Sequence, residues 1–226
     1  MGTIPSLSEL NNVIASRELD KINNFLVRID RMESALLRNH LQSLMYYVQG
    51  WLDLPAAQLV ESLNTGLDII DKSFRSDEDI EACIVQEKMI VLTGICGIQM
   101  QLRSGELVKT GRLYSGAMKK ARSISMENPR LLLLEGLIEF KRPTLLGGGI
   151  NAAHKKFLRS VAQFKSNQKN NESIWNWGEA ESLYWLAKTE LQLKKKDSAR
   201  QTLERVFEIC PLHKPALALV DELSII

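Results

Sequence analysis

The chain has 226 residues, with 29 basic and 27 acidic side chains and a formal charge of +2, so bulk charge gives no support to nucleic-acid binding and leaves only a local basic patch as a route to it. Its 45% hydrophobic and 25% charged content is ordinary for a globular chain and excludes a disordered or fibrous one. Aromatics are few at 6%, period-two alternation of β-branched residues is almost absent, and Leu, Ala, Glu, Lys, Gln and Arg dominate, which predicts an all-α fold.

In chain order, Ser6 or Ser8 is placed to cap a first helix through Leu10, Val13 and Ile14. Leu19, Ile22, Leu26 and Ile29 then recur at helical spacing, and residues 1–32 read as an N-terminal capping region or hairpin. A helix from Glu33 to Leu54 carries Leu37, Leu41, Leu44, Met45 and Val48, and Pro55 interrupts it. Leu59, Leu63, Leu67 and Ile70 make its partner, which closes a helix pair over 33–76. Ser76 or Asp77 is expected to cap the next pair, 77–128. Its first helix is broken near Ser104-Gly105 and contains Gly94 and Gly97, both read as points of close helix contact, since an interior glycine costs about 1 kcal/mol against alanine. The segment SGELVKTGRLYSG reads as a long connection before Ala117, Ala121 and Ile124.

Asn128-Pro129-Arg130 opens a third pair, 129–166, with Leu132, Leu133, Gly136, Leu137 and Phe140 on its first helix and Ala153, Phe157 and Val161 on its second. Between them lies the loop Arg142–Gly149, and after them SNQKNNES reads as a solvated loop. The last pair, 175–211, has one stripe of Leu183, Leu186, Ala187 and Leu191 and another of Ala199, Leu203, Val206 and Phe207, with Asp197 as the expected cap between them. Residues 212–226 form a C-terminal capping helix. No run reaches the roughly 18 apolar residues of a membrane-spanning helix, and no secretory leader opens the chain.

The stretch Ala180–Pro211 resembles a tetratricopeptide repeat, with Leu186-Ala187 at the L-G pair, Ala199 and Leu203 at A-x3-F, Pro211 at the closing proline, and a departure at Glu190 where an aromatic is usual. Over Glu81–Leu223 the chain is similar to a group of largely uncharacterised bacterial tetratricopeptide-repeat proteins, through Asn128-Pro129-Arg130…Gly136, Pro143…Gly147-Gly148-Gly149 and Trp177-Gly178. The resemblance implies one domain, a right-handed superhelical array of antiparallel helix pairs, and protein binding. Stacked pairs bury faces that a lone hairpin leaves bare, and their first helices line a concave surface. By that analogy Arg130, Leu133, Leu137 and Lys141, then Glu181, Tyr184 and Lys188, are the candidate partner-binding residues, with exposed Arg and Tyr as anchors. The chain reads as cytoplasmic by default, with a periplasmic or secreted home as the alternative if a leader precedes it, as in many members of that group.

Chemistry is sparse by comparison. Cys83, Cys96 and Cys210 have no C-x-x-C spacing and read as three buried free thiols. His40, His154 and His213 have no metal-ligand spacing and read as surface or half-buried residues. Gly147–Gly149 before a helix reads first as a tight turn, and Lys155-Lys156 beside it gives the alternative of an anion or small-ligand site. Lys194-Lys195-Lys196 reads as a solvated turn. The expectation is a noncatalytic scaffold that binds a protein or peptide, with no catalytic residue, metal, cofactor, nucleic acid or membrane insertion. Self-assembly is a further alternative.

Overall fold

A computed structural model describes residues 3–75, 81–102, 107–166 and 176–225. The described residues form the helices α1 (Leu7–Ser16), α2 (Leu19–Ile29), α3 (Ala35–Gln49), α4 (Ala56–Arg75), α5 (Ala82–Gln101), α6 (Leu107–Ile124), α7 (Pro129–Lys141), α8 (Ile150–Ser166), α9 (Glu179–Gln192), α10 (Lys196–Ile209) and α11 (Lys214–Ile225). Among them there is no strand, so the all-α expectation holds. The cap expected at Ser76 or Asp77, the break at Ser104-Gly105, most of the SNQKNNES loop and Trp175 lie outside the described residues. The helices group into two compact units, α2–α6 in one and α1 with α7–α11 in the other.

In the α2–α6 unit, Ile22, Phe25 and Ile29 line one face of α2, and that helix packs on α3. The Ser34 hydroxyl accepts the Leu37 N–H at 3.3 Å, which starts α3 later than the spacing alone predicted. Leu41, Leu44, Met45 and Val48 of α3 are buried against α4, where Leu59, Leu63 and Ile70 are buried in turn. Helix α5 then packs on α3, α4 and α6. At Gly94 a Cβ would fall 2.4 Å from the Tyr47 ring, so the backbone itself makes the approach there. At Gly97 the nearest atom is 3.6 Å away, so close contact holds at only one of the two glycines.

Three further readings change in this unit. Helix α6 begins at Leu107, so most of the expected long connection is helical despite Gly111 and Gly116 within it, as packing on α5 overrides local propensity. Helix α5 is long and apolar enough to cross a membrane, which the sequence reading missed, although 56% of that window is buried within the protein. Cys83 is exposed while Cys96 and Cys210 are buried, since Cys83 sits in the first turn of α5 ahead of its buried stretch.

The buried polar residues of α5 have work at helix ends. Gln86 Nε2 donates to the carbonyls of Ala121 at 2.8 Å and Ser125 at 2.6 Å, and Lys88 Nζ donates to the Ser73 carbonyl at 3.4 Å. The last carbonyls of a helix have no partner within it and carry the negative end of its dipole. Helix α5 therefore supplies donors to the C-terminal turns of both α4 and α6.

In the other unit, Ser6 Oγ accepts the Glu9 N–H at 3.1 Å and starts α1. Helix α1 packs on α9 and α11, and Cys210 Sγ donates to Asn12 Oδ1 at 3.3 Å. Helices α1 and α2 thus fall in different units. Asn128 Oδ1 accepts from the N–H groups of Arg130 and Leu131 at 2.9 and 3.2 Å, with Pro129 at the first helical position, so α7 starts where the Asn-Pro pair predicted. Helix α7 packs on α8, α8 on α9 and α9 on α10. The core of this unit includes Leu133, Phe157, Leu183, Leu186, Ala187, Ala199, Leu203, Val206 and Leu219. The cap between α9 and α10 is Lys195, after Lys194 at φ 62, and Asp197 lies in the first turn, where its carboxylate is 3.8 Å from Arg200. Asp197 still meets the positive end of the α10 dipole, but it does not cap.

Candidate functional site

Helices α7 and α9 are held against α8 by a buried chain of hydroxyls. Ser160 Oγ donates to the Pro129 carbonyl at 2.7 Å and lies 2.8 Å from Ser182 Oγ, which donates to the Gly178 carbonyl at 2.9 Å. Gly178, at φ 100, lets the chain turn into α9 with Leu133 and Arg130 packed close to it. These contacts set the relative position of the two helices that carry all seven candidate residues.

The seven fall into two layers. Arg130, Leu133, Glu181 and Tyr184 are buried, so the expected exposed arginine and tyrosine are interior groups. The Arg130 guanidinium lies over the Phe164 ring, 5.8 Å from its centroid. Glu181 Oε1 is 3.1 Å from His213 Nε2, and His213 Nδ1 accepts the Ala216 N–H at 3.2 Å. His213 therefore carries its proton on Nε2 and joins α9 to the first turn of α11. It is fully buried, and His40 is buried as well, against the expectation of surface or half-buried histidines. His154 is half-buried, and burial first and the Lys195 charge second hold its pKa below the ordinary histidine value.

Leu137, Lys141 and Lys188 form the second layer, at the surface or half-exposed. Between them the structure places two residues that sequence reasoning did not select. Trp185 and Phe140 are half-buried and meet edge to face with ring centroids 5.2 Å apart. Trp185 also stacks on Phe157 at 6.0 Å and meets the Tyr184 ring at 5.3 Å. Lys188 Nζ sits 5.0 Å from the Trp185 ring and 5.8 Å from the Tyr184 ring, and 3.4 Å from the Tyr184 hydroxyl. Its cation lies within the range of attraction by the ring faces. Lys141 is exposed as a residue, yet partial desolvation of its ammonium holds its pKa below the usual lysine value. The result is a partly exposed aromatic pair bordered by Lys188. Tyr184 was a visible signal for its neighbour Trp185, but the repeat register directed the choice to positions 181, 184 and 188.

Other candidate chemistry is used up internally. The amides of Gly147, Gly148 and Gly149 donate to the carbonyls of Thr144, Pro143 and Glu139 at 3.0, 3.3 and 2.8 Å. Lys156 pairs with Glu135. The loop thus spends its donors on a tight turn, and they do not point at an anion. Cys210 lies near Glu181 and His213, but burial first, then the Glu181 charge, raises its thiol pKa against backbone donation from Leu212. With both ring nitrogens of His213 engaged, that imidazole is not placed to take the thiol proton. Among the described residues no group of three or more His, Cys, Asp or Glu stands where it could hold a metal ion.

No protein-family model matches the chain, and a search of curated proteins finds no relative. Among solved structures, the chain is similar to the HusA haemophore from Porphyromonas gingivalis, with a TM-score of 0.60 over 81% of this chain and 92% of that one. The identity is 14%, so the likeness is one of fold.

Proposed function

We propose that the chain is a noncatalytic scaffold of the tetratricopeptide-like solenoid kind, whose face on α7 and α9 binds a protein or peptide. The observation that carries the reading is the Trp185–Phe140 pair, half-exposed and bordered by Lys188. Pairwise packing of consecutive helices and the Ala180–Pro211 motif support the repeat architecture. A flat aromatic pair gives large apolar contact at small entropic cost, and the Lys188 ammonium beside it selects an acidic neighbour in the partner. The ligand is therefore a segment with an apolar or proline side chain next to a carboxylate. A peptide array probed with the wild-type protein should select such segments. Lys188→Glu should weaken the selected binders about tenfold or more, with helicity unchanged. Selection of basic segments, or equal binding by the variant, would contradict the reading.

The likeness to a haemophore favours a second reading, in which the same face takes a flat apolar anion such as haem. The aromatic pair suits the ring and Lys188 suits a carboxylate. The imidazole beside Tyr184, His213, has both nitrogens engaged and offers iron no lone pair, while the Tyr184 hydroxyl borders the face. This places haem second. Titration with hemin, followed by its Soret absorption, distinguishes the two. A saturable shift lost in Tyr184→Phe supports haem, and an unperturbed spectrum removes it.

A further inference from the structure

Helix α6 concentrates charge as no bulk figure reveals. Its 18 residues, LVKTGRLYSGAMKKARSI, hold five cations, Lys109, Arg112, Lys119, Lys120 and Arg122, and no acid. With +2 on the whole chain, everything outside α6 carries a net −3. All five cations are exposed. At 3.6 residues per turn they fall within an arc of about 160°, over about 20 Å of helix. Thr110, Ala117, Met118 and Ala121 are buried against the rest of the unit, on the other side of the helix. Between the cations lie Ser115, Gly116 and Ser123, which are small, and Val108, which is 71% exposed, with Leu113, 42% exposed, at the edge of the arc.

Such a face works against the helix that carries it. Lys109 and Arg112 are like charges three residues apart, which repel across one turn. Val108 and Leu113 leave apolar surface in water. A partner that relieves both must be anionic and must accept aliphatic side chains. We propose that the outer face of α6 docks the protein onto an anionic lipid bilayer. Five basic side chains meet the headgroups, as clusters of four to eight do on amphipathic helices, and Val108 and Leu113 enter the acyl boundary. A nucleic acid would use the same cations but reward aromatic stacking instead of aliphatic contact, and the arc holds no aromatic ring. A planar bilayer also asks only for a row of charges on a convex helix, without a groove to set register. The docking is peripheral and does not insert a helix.

The test is co-sedimentation of the full chain with vesicles of phosphatidylcholine alone and of phosphatidylcholine with phosphatidylserine. The wild type should pellet only with the second, and raised salt should release it. Each cation removed should weaken binding about fivefold. The variant Lys109→Gln/Arg112→Gln/Lys119→Gln/Lys120→Gln, checked for helicity, should then stay in the supernatant. Val108→Ser/Leu113→Ser should bind more weakly at unchanged charge. The salt response of the unaltered protein is an independent readout should the fourfold variant misfold. Equal pelleting with both vesicles, none with either, or capture of a DNA or RNA probe by a protein that leaves the vesicles would overturn the proposal.

Discussion

At Gly94, one methyl group would have to displace the Tyr47 ring, 2.4 Å from where it would sit. Gly94→Ala should cost about 1–3 kcal/mol in chemical denaturation, as overpacking does, while Gly97→Ala, whose methyl would meet the Tyr114 ring at an ordinary contact distance of 3.6 Å, should be neutral or mildly stabilising. The thiols give a second residue-level contrast. Burial pushes the Cys96 pKa up to about 11, and Cys210 is fully buried, while Cys83 is exposed. An aqueous thiol reagent should therefore titrate one cysteine rapidly in the native protein and three after unfolding. Fast reaction of Cys96 or Cys210 would contradict the packing of its unit. Glu190 shows how a departure from a motif is accommodated. Where the repeat pattern has an aromatic, its carboxylate accepts the Thr202 hydroxyl at 2.8 Å, and burial raises its pKa above the ordinary value. The raised value means that the folded state favours the protonated acid. Its contribution is greatest below the unfolded pKa and falls as pH rises through the folded one. Glu190→Gln keeps an acceptor for Thr202 and should stabilise the protein near neutral pH, with the gain disappearing in acid.

Helices are the scale at which the sequence was most legible. Apolar residues at three- and four-residue spacing, with Asn128-Pro129, Pro55 and Pro143 as punctuation, located α4, α7 and α8 closely, because those signals act within a turn or two, while α3 ends at Gln49 instead of the expected Leu54. What escaped depends on partners far along the chain. The position of α1 on α9 and α11, with Asn12 against Cys210, has no local signature. Nor does the Glu181–His213 contact, which converts a supposed groove residue into an interior one. The same applies to α5, whose Gln86 and Lys88 look like ordinary surface residues of a helix and instead serve the ends of α6 and α4. Gln86→Ala should remove a donor from the Ala121 and Ser125 carbonyls, of which Ala121 keeps the Ser125 N–H at 3.4 Å, and cost about 1–3 kcal/mol. Hydrogen exchange should show the loss in the last turn of α6, and protection unchanged there would remove the capping role.

For the whole molecule, the all-α architecture followed from composition and period, while the candidate site was legible only in part. Leu137, Lys141 and Lys188 do lie at the surface of α7 and α9. The other four candidates are buried because the repeat analogy says which way a helix faces but not how deeply its neighbours cover it. Trp185 and Phe140 become a site only through their contact across two helices, at 5.2 Å, which no single-helix pattern contains. Their exposure and Lys188 beside them are the basis of the binding reading. The most direct test is a calorimetric titration of the best array-selected peptide into the wild type and Trp185→Ala, with both proteins matched for helicity. An affinity loss of about thirtyfold or more, as for an aromatic anchor, is predicted. Equal affinity for both proteins would mean that the α7–α9 face is not where the partner binds.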